Sequence, residues 1–327
     1  MKTAFVTGGS GFLGMNLVHC LVEANWNVVS MDLSSSNNAA LEKLGVQCVA
    51  GDITDHASCE QLIPENTNAV FHVAGNVSHW KLGDALQTLV NVDGTRNMIE
   101  AALKKNVHRF IYTSSIAAYG FQPHRVTEST PSTADNFWIN YFRTKRLAEL
   151  EVHKGIRQGL DAVILNPSNI IGPYDLSGWS RLFHLINENR LPGNPPGSGS
   201  FCHSNEVAKA HIAAYENGRC GHNYLLGGVD ATFQELAQEI GKLLGKKVPA
   251  RPTPAFVLKI IGRLSQWGSY VTKKDPDLTP EKALLVSSDL VCSTQKAIDE
   301  LGYSFQSLSS MLKDCYLWLL DEKLILS

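Results

Sequence analysis

The sequence predicts an α/β protein: a doubly wound parallel sheet carrying a smaller, mainly C-terminal lobe. Three observations predict it. Short β-rich runs alternate with longer helical patterns through the first two-thirds of the chain, the pattern of βαβ units. A glycine-rich turn joins the first run to the first helical stretch. Beyond about residue 230 the alternation gives way to helical segments separated by the breaker VPARPTPA (Val248–Ala255).

Thr3–Val6 reads as the first strand, and Gly11–Ala24 as a helix with Leu13, Leu17, Val18 and Leu21 on one face. Asn27–Asp32 is the second strand and Ala39–Leu44 a helix. Gln47–Ala50, Ala69–Val73, Arg109–Thr113 and Ala162–Asn166 supply four more strands, with helical stretches at Leu86–Lys104 and Tyr141–Gln158. Tyr224–Leu226 reads as the last strand, and Leu191–Ser200 (LPGNPPGSGS) as a loop on composition. Thr232–Leu244 and Ser307–Leu320 complete the helical pattern.

Composition narrows the function classes. A chain of 327 residues with 44% hydrophobic content can bury a core without covalent staples. Twenty-nine basic against 31 acidic residues leave a net charge of −2, with no long run of one sign to suit nucleic acid. The seven cysteines (Cys20, Cys48, Cys59, Cys202, Cys220, Cys292, Cys315) form no C-x-x-C pair. That argues against a zinc site or disulfide framework, so no metal is expected and a reducing compartment fits. The opening MKTAFVTGGSGFLG turns into a glycine-rich loop too early for a signal peptide, and no apolar run is long enough to span a bilayer. The expectation is a cytoplasmic protein.

Thr7-Gly8-Gly9-Ser10-Gly11-Phe12-Leu13-Gly14 follows a strand and opens a helix, and from Gly9 it satisfies G-x-G-x-x-G. Glycines let the backbone approach a pyrophosphate, and the helix N-terminus supplies oriented N–H groups. Asp32, at the end of the second strand, can accept both ribose hydroxyls of NAD and would repel a 2′-phosphate. No Arg or Lys lies between Asp32 and Glu42 to offset that repulsion. NAD is therefore expected, with NADP left open because Ser34–Ser36 could hydrogen-bond a phosphate. Asp52, beside Ile53, could accept from the adenine amino group, although a plain turn role suits the spacing as well. Val73, Ala74 and Gly75 end a strand where small residues let the backbone pass beside the cofactor.

Tyr141 and Lys145 form a Y-x-x-x-K pair on a helix, following a strand that ends in Thr113-Ser114-Ser115. A second match, Tyr270 to Lys274, lies in the small lobe without such a partner and reads as surface decoration. Residues four apart face the same way, so Lys145 is expected to lower the Tyr141 pKa from ~10 and make it a proton donor and acceptor. Ser115 would hold and polarise a substrate oxygen, an arrangement suited to carbonyl–alcohol chemistry.

Together these residues resemble the extended short-chain dehydrogenase/reductase family, with likeness over nearly the whole chain. TGGSGFLG resembles the family's phosphate loop, with Gly8, Gly11, Phe12, Leu13 and Gly14 as its contacts, and Asp52 resembles the family's strand-end Asp. NVDGT (Asn91–Thr95) resembles a segment whose Asn supports the catalytic centre. TSSIAAYG places Thr113 and Ser115, and YFRTK places Tyr141 and Lys145, at family positions. NPSNIIGP (Asn166–Pro173) resembles the loop bordering nicotinamide and substrate, which implies cofactor roles for Pro167, Asn169 and Ile170. STQKAIDELGYSF (Ser293–Phe305) resembles the closing signature.

The likeness is greatest to the dihydroflavonol-reductase-like and 3β-hydroxysteroid-dehydrogenase-like branch. It implies a Rossmann-type fold, hydride exchange between a nicotinamide and a fairly apolar ketone, aldehyde or alcohol, and a homodimer. It places the nucleotide-binding part in residues 1–175 and 203–230, and the substrate lobe in 176–202 and 231–327.

A nucleotide-sugar epimerase shares the fold and the Ser/Tyr/Lys trio. Such enzymes often place an Arg soon after the Gly-Pro of the sixth loop, whereas here Arg181 is the first basic residue after Gly172-Pro173. Dehydratases of the family carry Thr-Asp-Glu where Ser115-Ile116-Ala117 stands here, and cofactor-sensing relatives commonly lack an intact Tyr/Lys pair. Asn76, His79, Trp80 and Trp138 are candidates for the substrate pocket, and for any one aromatic a structural role fits as well. Phe256–Trp267 has helical periodicity with Lys259 and Arg263 beside its apolar face. It reads as a helix packed on the pocket, with a membrane-surface helix as the sharper alternative.

Overall fold

The computed structural model describes residues 1–191 and 193–325. In chain order the strands are β1 (Thr3–Thr7), β2 (Asn27–Asp32), β3 (Gln47–Ala50), β4 (Ala69–His72), β5 (Arg109–Thr113) and β6 (Ala162–Pro167). They continue with β7 (Asn169–Ile171), β8 (Ser198–His203), β9 (Asn223–Leu226), β10 (Val229–Thr232) and β11 (Asp289–Leu290). The helices are α1 (Phe12–Glu23), α2 (Ala39–Lys43), α3 (His56–Leu62), α4 (Asp84–Thr88), α5 (Gly94–Lys104), α6 (Asn140–Arg157) and α7 (Ser180–Asn187). After them come α8 (Ser204–Asn217), α9 (Phe233–Leu244), α10 (Ala255–Thr272), α11 (Pro280–Leu285), α12 (Gln295–Leu301) and α13 (Leu308–Asp321).

Seven parallel strands form the main sheet in the order β3-β2-β1-β4-β5-β6-β9. The order reverses between β1 and β4, which opens a crevice at their carboxyl ends, where doubly wound sheets bind ligands. Side chains alternate across the sheet, as the strand period of two requires. Ala4, Val6, Phe71, Ile111, Val163 and Leu165 pack with α1, α8 and α12 on one face. Phe5, Val70, Phe110, Tyr112 and Ile164 pack with α3, α5 and α6 on the other. Leu17 and Leu21 of α1 are fully buried, each worth roughly 1.5–3 kcal/mol.

A second sheet pairs β8 antiparallel with β10 and parallel with β7 and β11. Ile171, Phe201 and Ala231 of these strands lie against α7, α9 and α13. Helix α9 begins with a capping box, Thr232 and Glu235 bonding each other's backbone, and ends at Gly245 in the left-handed region.

The expected loop Leu191–Ser200 is corrected at its end, because Ser198, Gly199 and Ser200 belong to β8. Hydrogen bonds to β10 and β11, distant in sequence, override the local Gly/Ser composition. Pro192 of that stretch, and Leu326 and Ser327 of the expected substrate lobe, lie outside the described residues. The stretch Leu86–Lys104 is helical, but Leu89–Asp93 within it is a π-helical turn between α4 and α5. Such bulges occur often at functional sites.

Candidate active site

Strand β1 delivers the chain to Gly8, whose φ of +74° a side chain would resist and whose added Cβ would come within 2.9 Å of the Ala74 Cα. A Cβ on Gly14 would lie 2.0 Å from the Gly8 carbonyl oxygen, so the loop folds directly onto the first turn of α1. That helix starts after Gly11 with no side-chain cap and no acidic residue in its first turn. Phe12 and Leu13 therefore present N–H groups that the helix itself does not use. A cradle of glycines in front of uncapped, oriented donors fits a dinucleotide pyrophosphate.

Asp32 is more enclosed than its place at a strand end implies, at 5% exposure. Its Oδ1 accepts from the Ser10 N–H at 3.0 Å and the Ser10 hydroxyl at 2.6 Å, while its Oδ2 accepts from the Ser30 hydroxyl at 2.6 Å. A ribose diol would have to exchange with the Ser10 hydroxyl, and a 2′-phosphate would meet a full negative charge.

Asp52 accepts from the Thr54 N–H and hydroxyl, both at 2.8 Å and both through Oδ1. Ile53 is buried, and its side chain fills the space that a Cβ on Gly94 would need. Val73, Ala74 and Gly75 leave β4 beside the glycine loop, where the Ala74 N–H donates to the Thr7 hydroxyl at 3.2 Å.

Asn91 sits in the π-helical turn and is buried. Its Oδ1 accepts from the Asn76 N–H at 2.7 Å, and its Nδ2 donates to the Asn76 carbonyl at 2.9 Å and the Thr144 hydroxyl at 3.1 Å. His72 bridges the ends of β1 and β4 to α5, bonding the Thr7 hydroxyl at 2.8 Å and the Thr95 hydroxyl at 3.0 Å. Burial, aided by Lys145, pushes its pKa down to about 3, so the ring is neutral.

Ser115 follows β5, and Tyr141 and Lys145 stand one turn apart on α6. The Tyr141 phenol lies beside the Ser115 side chain, which pulls its pKa down, and the Ser115 Oγ accepts from the Ala117 N–H at 3.2 Å. Lys145 donates to the Thr113 carbonyl at 2.8 Å. The Nζ lies 3.5 Å from where a Cβ on Gly75 would be, which is ordinary contact distance. Burial lowers the Lys145 pKa to about 8, against the opposing pull of Glu149.

The expected lowering of the Tyr141 pKa by Lys145 is not what this arrangement produces. Burial holds the phenol above its ordinary value, with the Ser115 side chain pulling the other way. The reason is the direction of Lys145, whose ammonium is turned to Thr113.

Pro167 ends β6, and the next residues leave the main sheet: Asn169 and Ile170 pair with β8. The Asn169 Nδ2 donates to the Ser200 carbonyl at 3.0 Å. Among the substrate candidates, His79 lies edge-on to Tyr141 with ring centres 5.2 Å apart, and its buried Nδ1 has no partner among the described residues. Burial pushes its pKa down to about 4. The Asn76 Oδ1 closes its own loop by accepting from the Ser78 N–H. Trp80 reaches α10, its Nε1 donating to the Ser269 hydroxyl at 3.1 Å. Trp138 stands apart, 52% exposed and tilted against Phe137 rather than packed on Tyr141.

A glycine cradle at a topological switch point, with a Ser/Tyr/Lys trio beyond it, is matched by a family model. The model, described as the NAD dependent epimerase/dehydratase family, covers residues 4–227. The chain belongs to this family. The family is NAD-dependent, which makes NAD the cofactor. The chain is similar to a dihydroflavonol 4-reductase-like protein of Synechocystis, 28% identical over 322 residues, covering 96% of this chain and 93% of that protein. It is similar also to sterol demethylase protein B of Methylococcus capsulatus, 28% identical over 335 residues, covering 99% and 100%. Among solved structures, gox2253 superposes with a TM-score of 0.83 at 26% identity over 98% of this chain and 99% of that one.

Several residues around the Ser/Tyr/Lys trio escape sequence reading. Glu149 is buried one turn beyond Lys145, its Oε1 accepting from the Ser114 hydroxyl at 2.5 Å and the Asn166 Nδ2 at 2.6 Å. Burial pushes its carboxyl pKa up. Asn140 donates to the Asp84 carbonyl and the Gln87 Oε1, both at 3.0 Å, tying the start of α6 to α4. Gln87 in turn donates to the Asn76 and Ser78 carbonyls. The i, i+4 step from Lys145 was the available signal for Glu149; the Asn140 and Gln87 contacts had none.

Proposed function

We propose that the protein interconverts a ketone or aldehyde and an alcohol on a fairly apolar small molecule, with Tyr141 as the acid and base. The observation that carries this reading is the placing of the Tyr141 phenol beside the Ser115 side chain and the neutral ring of His79. Two hydroxyls that can fix one substrate oxygen thus face an uncharged wall.

Bound NAD supplies or accepts the hydride at the carbinol carbon. Gly8, Gly11, Phe12, Leu13 and Gly14 would hold its pyrophosphate, Asp32 its ribose, and Asp52 with Ile53 its adenine. Val73, Ala74, Gly75, Asn91, Thr113, Pro167, Asn169 and Ile170 would line its nicotinamide half. Ser115 donates to the substrate oxygen and orients it. In reduction, Tyr141 gives its proton to that oxygen as charge develops there; in oxidation, it takes the proton back. Lys145, if it turns from Thr113 toward the phenol, stabilises the tyrosinate, each pKa unit corresponding to about 1.4 kcal/mol.

The first basic residue after Gly172-Pro173 is already engaged, as is Lys282 of α11. Arg181 pairs with Asp277, and Lys282 lies 3.5 Å from Asp275. That disfavours a nucleotide-sugar substrate. The similarity to a dihydroflavonol-reductase-like protein and to a sterol demethylase component supports a carbonyl on an apolar frame.

The test is NADH and NADPH oxidation followed spectrophotometrically with cyclic, aromatic, steroid and flavonoid carbonyls, beside UDP-sugars. Carbonyl-dependent NADH oxidation that Tyr141→Phe abolishes is expected. Silence on every carbonyl, with a UDP-sugar interconverted and no net cofactor consumed, overturns the reading in favour of an epimerase.

A further inference from the structure

Helix α10 turns Leu258, Gly262 and Ser269 inward. Gly262 packs so closely that a Cβ would come within 2.9 Å of the Thr279 carbonyl oxygen, and Ser269 accepts the Trp80 indole N–H. Its outward face is apolar. Phe256, Ile260, Leu264, Trp267 and Val271 are 65%, 52%, 61%, 72% and 85% exposed. With 3.6 residues per turn, these five fall within an arc of about 80° and form a stripe roughly 22 Å long. A single exposed apolar side chain needs no explanation, but a contiguous stripe does.

The stripe has a charged border of one sign. Lys259 and Arg263 lie along one edge with Tyr270, and Lys273 and Lys274 follow the helix end. No Asp or Glu occurs between Ala255 and Lys274. The acidic residues just beyond are taken by other cations, Asp275 by Lys282 and Asp277 by Arg181. No helix among the described residues is long and apolar enough to cross a membrane.

We propose that α10 docks the protein on an anionic phospholipid surface, lying in the plane with its stripe among the acyl chains and its cations at the headgroups. An apolar stripe bordered by cations and an aromatic is the pattern of an interfacial helix. A second copy of this chain is a poorer fit, because a two-fold axis on the stripe would bring like charges from Lys259 and Arg263 together. Through the Trp80–Ser269 hydrogen bond, the docked helix connects directly to the loop that carries His79. The surface goes beyond the carbonyl reading, although an apolar substrate delivered from a bilayer suits it.

The experiment is sedimentation of the full chain with vesicles of phosphatidylcholine alone and of phosphatidylcholine with phosphatidylglycerol, at low and high salt. Wild type should sediment with the phosphatidylglycerol vesicles and be released by salt. Leu264→Glu, on the exposed face, should weaken binding at least about tenfold, and Lys259→Glu with Arg263→Glu by a similar factor. No binding by wild type, or binding that Leu264→Glu leaves unchanged, overturns the proposal. So does a dimer that Leu264→Glu dissociates in the absence of vesicle binding. NAD(H) turnover with a water-soluble carbonyl, unchanged in these variants, separates this result from the fate of the carbonyl reading.

Discussion

The side chain of Asn91 clasps the peptide of Asn76 from both sides, accepting from its N–H at 2.7 Å and donating to its carbonyl at 2.9 Å. The loop that carries His79 and Trp80 is thereby bonded to the helix wall behind Tyr141, beside the two bonds it receives from Gln87. Asn91→Ala would leave the Asn76 N–H without its partner, at roughly 1–3 kcal/mol if it stays dry, while the Asn76 carbonyl keeps its bond from Gln87. The expected outcome is a melting temperature lowered by several degrees and a turnover number lowered with it. An unchanged melt would show that water replaces the amide at no cost.

Tyr141→Phe removes one hydroxyl and little else. Turnover should fall by a factor on the order of 10²–10⁴, the usual worth of a positioned proton donor, while NADH binding followed by fluorescence stays near wild type. Residual activity above about a tenth of wild type would remove Tyr141 from the proton-transfer step.

Lys145 gives the pH dependence a definite sign. Its folded pKa, lowered by burial to about 8, lies below the ordinary 10.5. Between those values the unfolded chain holds a proton that the folded chain has lost, so unfolding free energy rises with pH across that window. Urea unfolding at pH 7.5 and 10 should show this gain in wild type and not in Lys145→Met. Activity should run the other way, kcat/KM falling above about pH 8 as the ammonium that supports the tyrosinate is lost.

His79 should be silent in the same profile. Burial holds its pKa at about 4, so kcat/KM should cross the ordinary imidazole range near 6.5 without a step. A step between pH 5 and 7 that disappears in His79→Gln would make the imidazole a working acid or base.

Asp32→Asn keeps an acceptor for Ser10 while removing the charge. NAD binding should weaken and NADP binding strengthen relative to it, with the melt nearly unchanged. Fluorescence titration with both cofactors decides this, and an unaltered ratio would detach Asp32 from the ribose. Asp32→Ala, which also orphans the Ser30 hydroxyl, should weaken NAD more than NADP and lower the melt besides.

The main sheet was readable because its signals are local. A strand buried on both faces is a run of apolar residues such as FIYT or AVIL, and a glycine is demanded wherever a Cβ would strike the neighbouring backbone, as at Gly8 and Gly14. The second sheet was not readable. Asp289 and Leu290 make a strand only because they pair with Ser198 and Gly199, some ninety residues away in sequence. Helices α7 and α8 also went unread, as did the π-helical turn that puts Asn91 against Asn76.

By itself the sequence determined the parallel sheet, the phosphate cradle and the Tyr141/Lys145 turn, because each depends on steric and periodic rules that act within a few residues. Only the tertiary structure decided where those groups point. Lys145 is turned to Thr113, Asp32 is held by Ser10 and Ser30, and Glu149 is buried on Ser114 and Asn166. It also decided that the apolar face of α10 is left outside, since helical periodicity shows that a face exists and only packing shows what covers it.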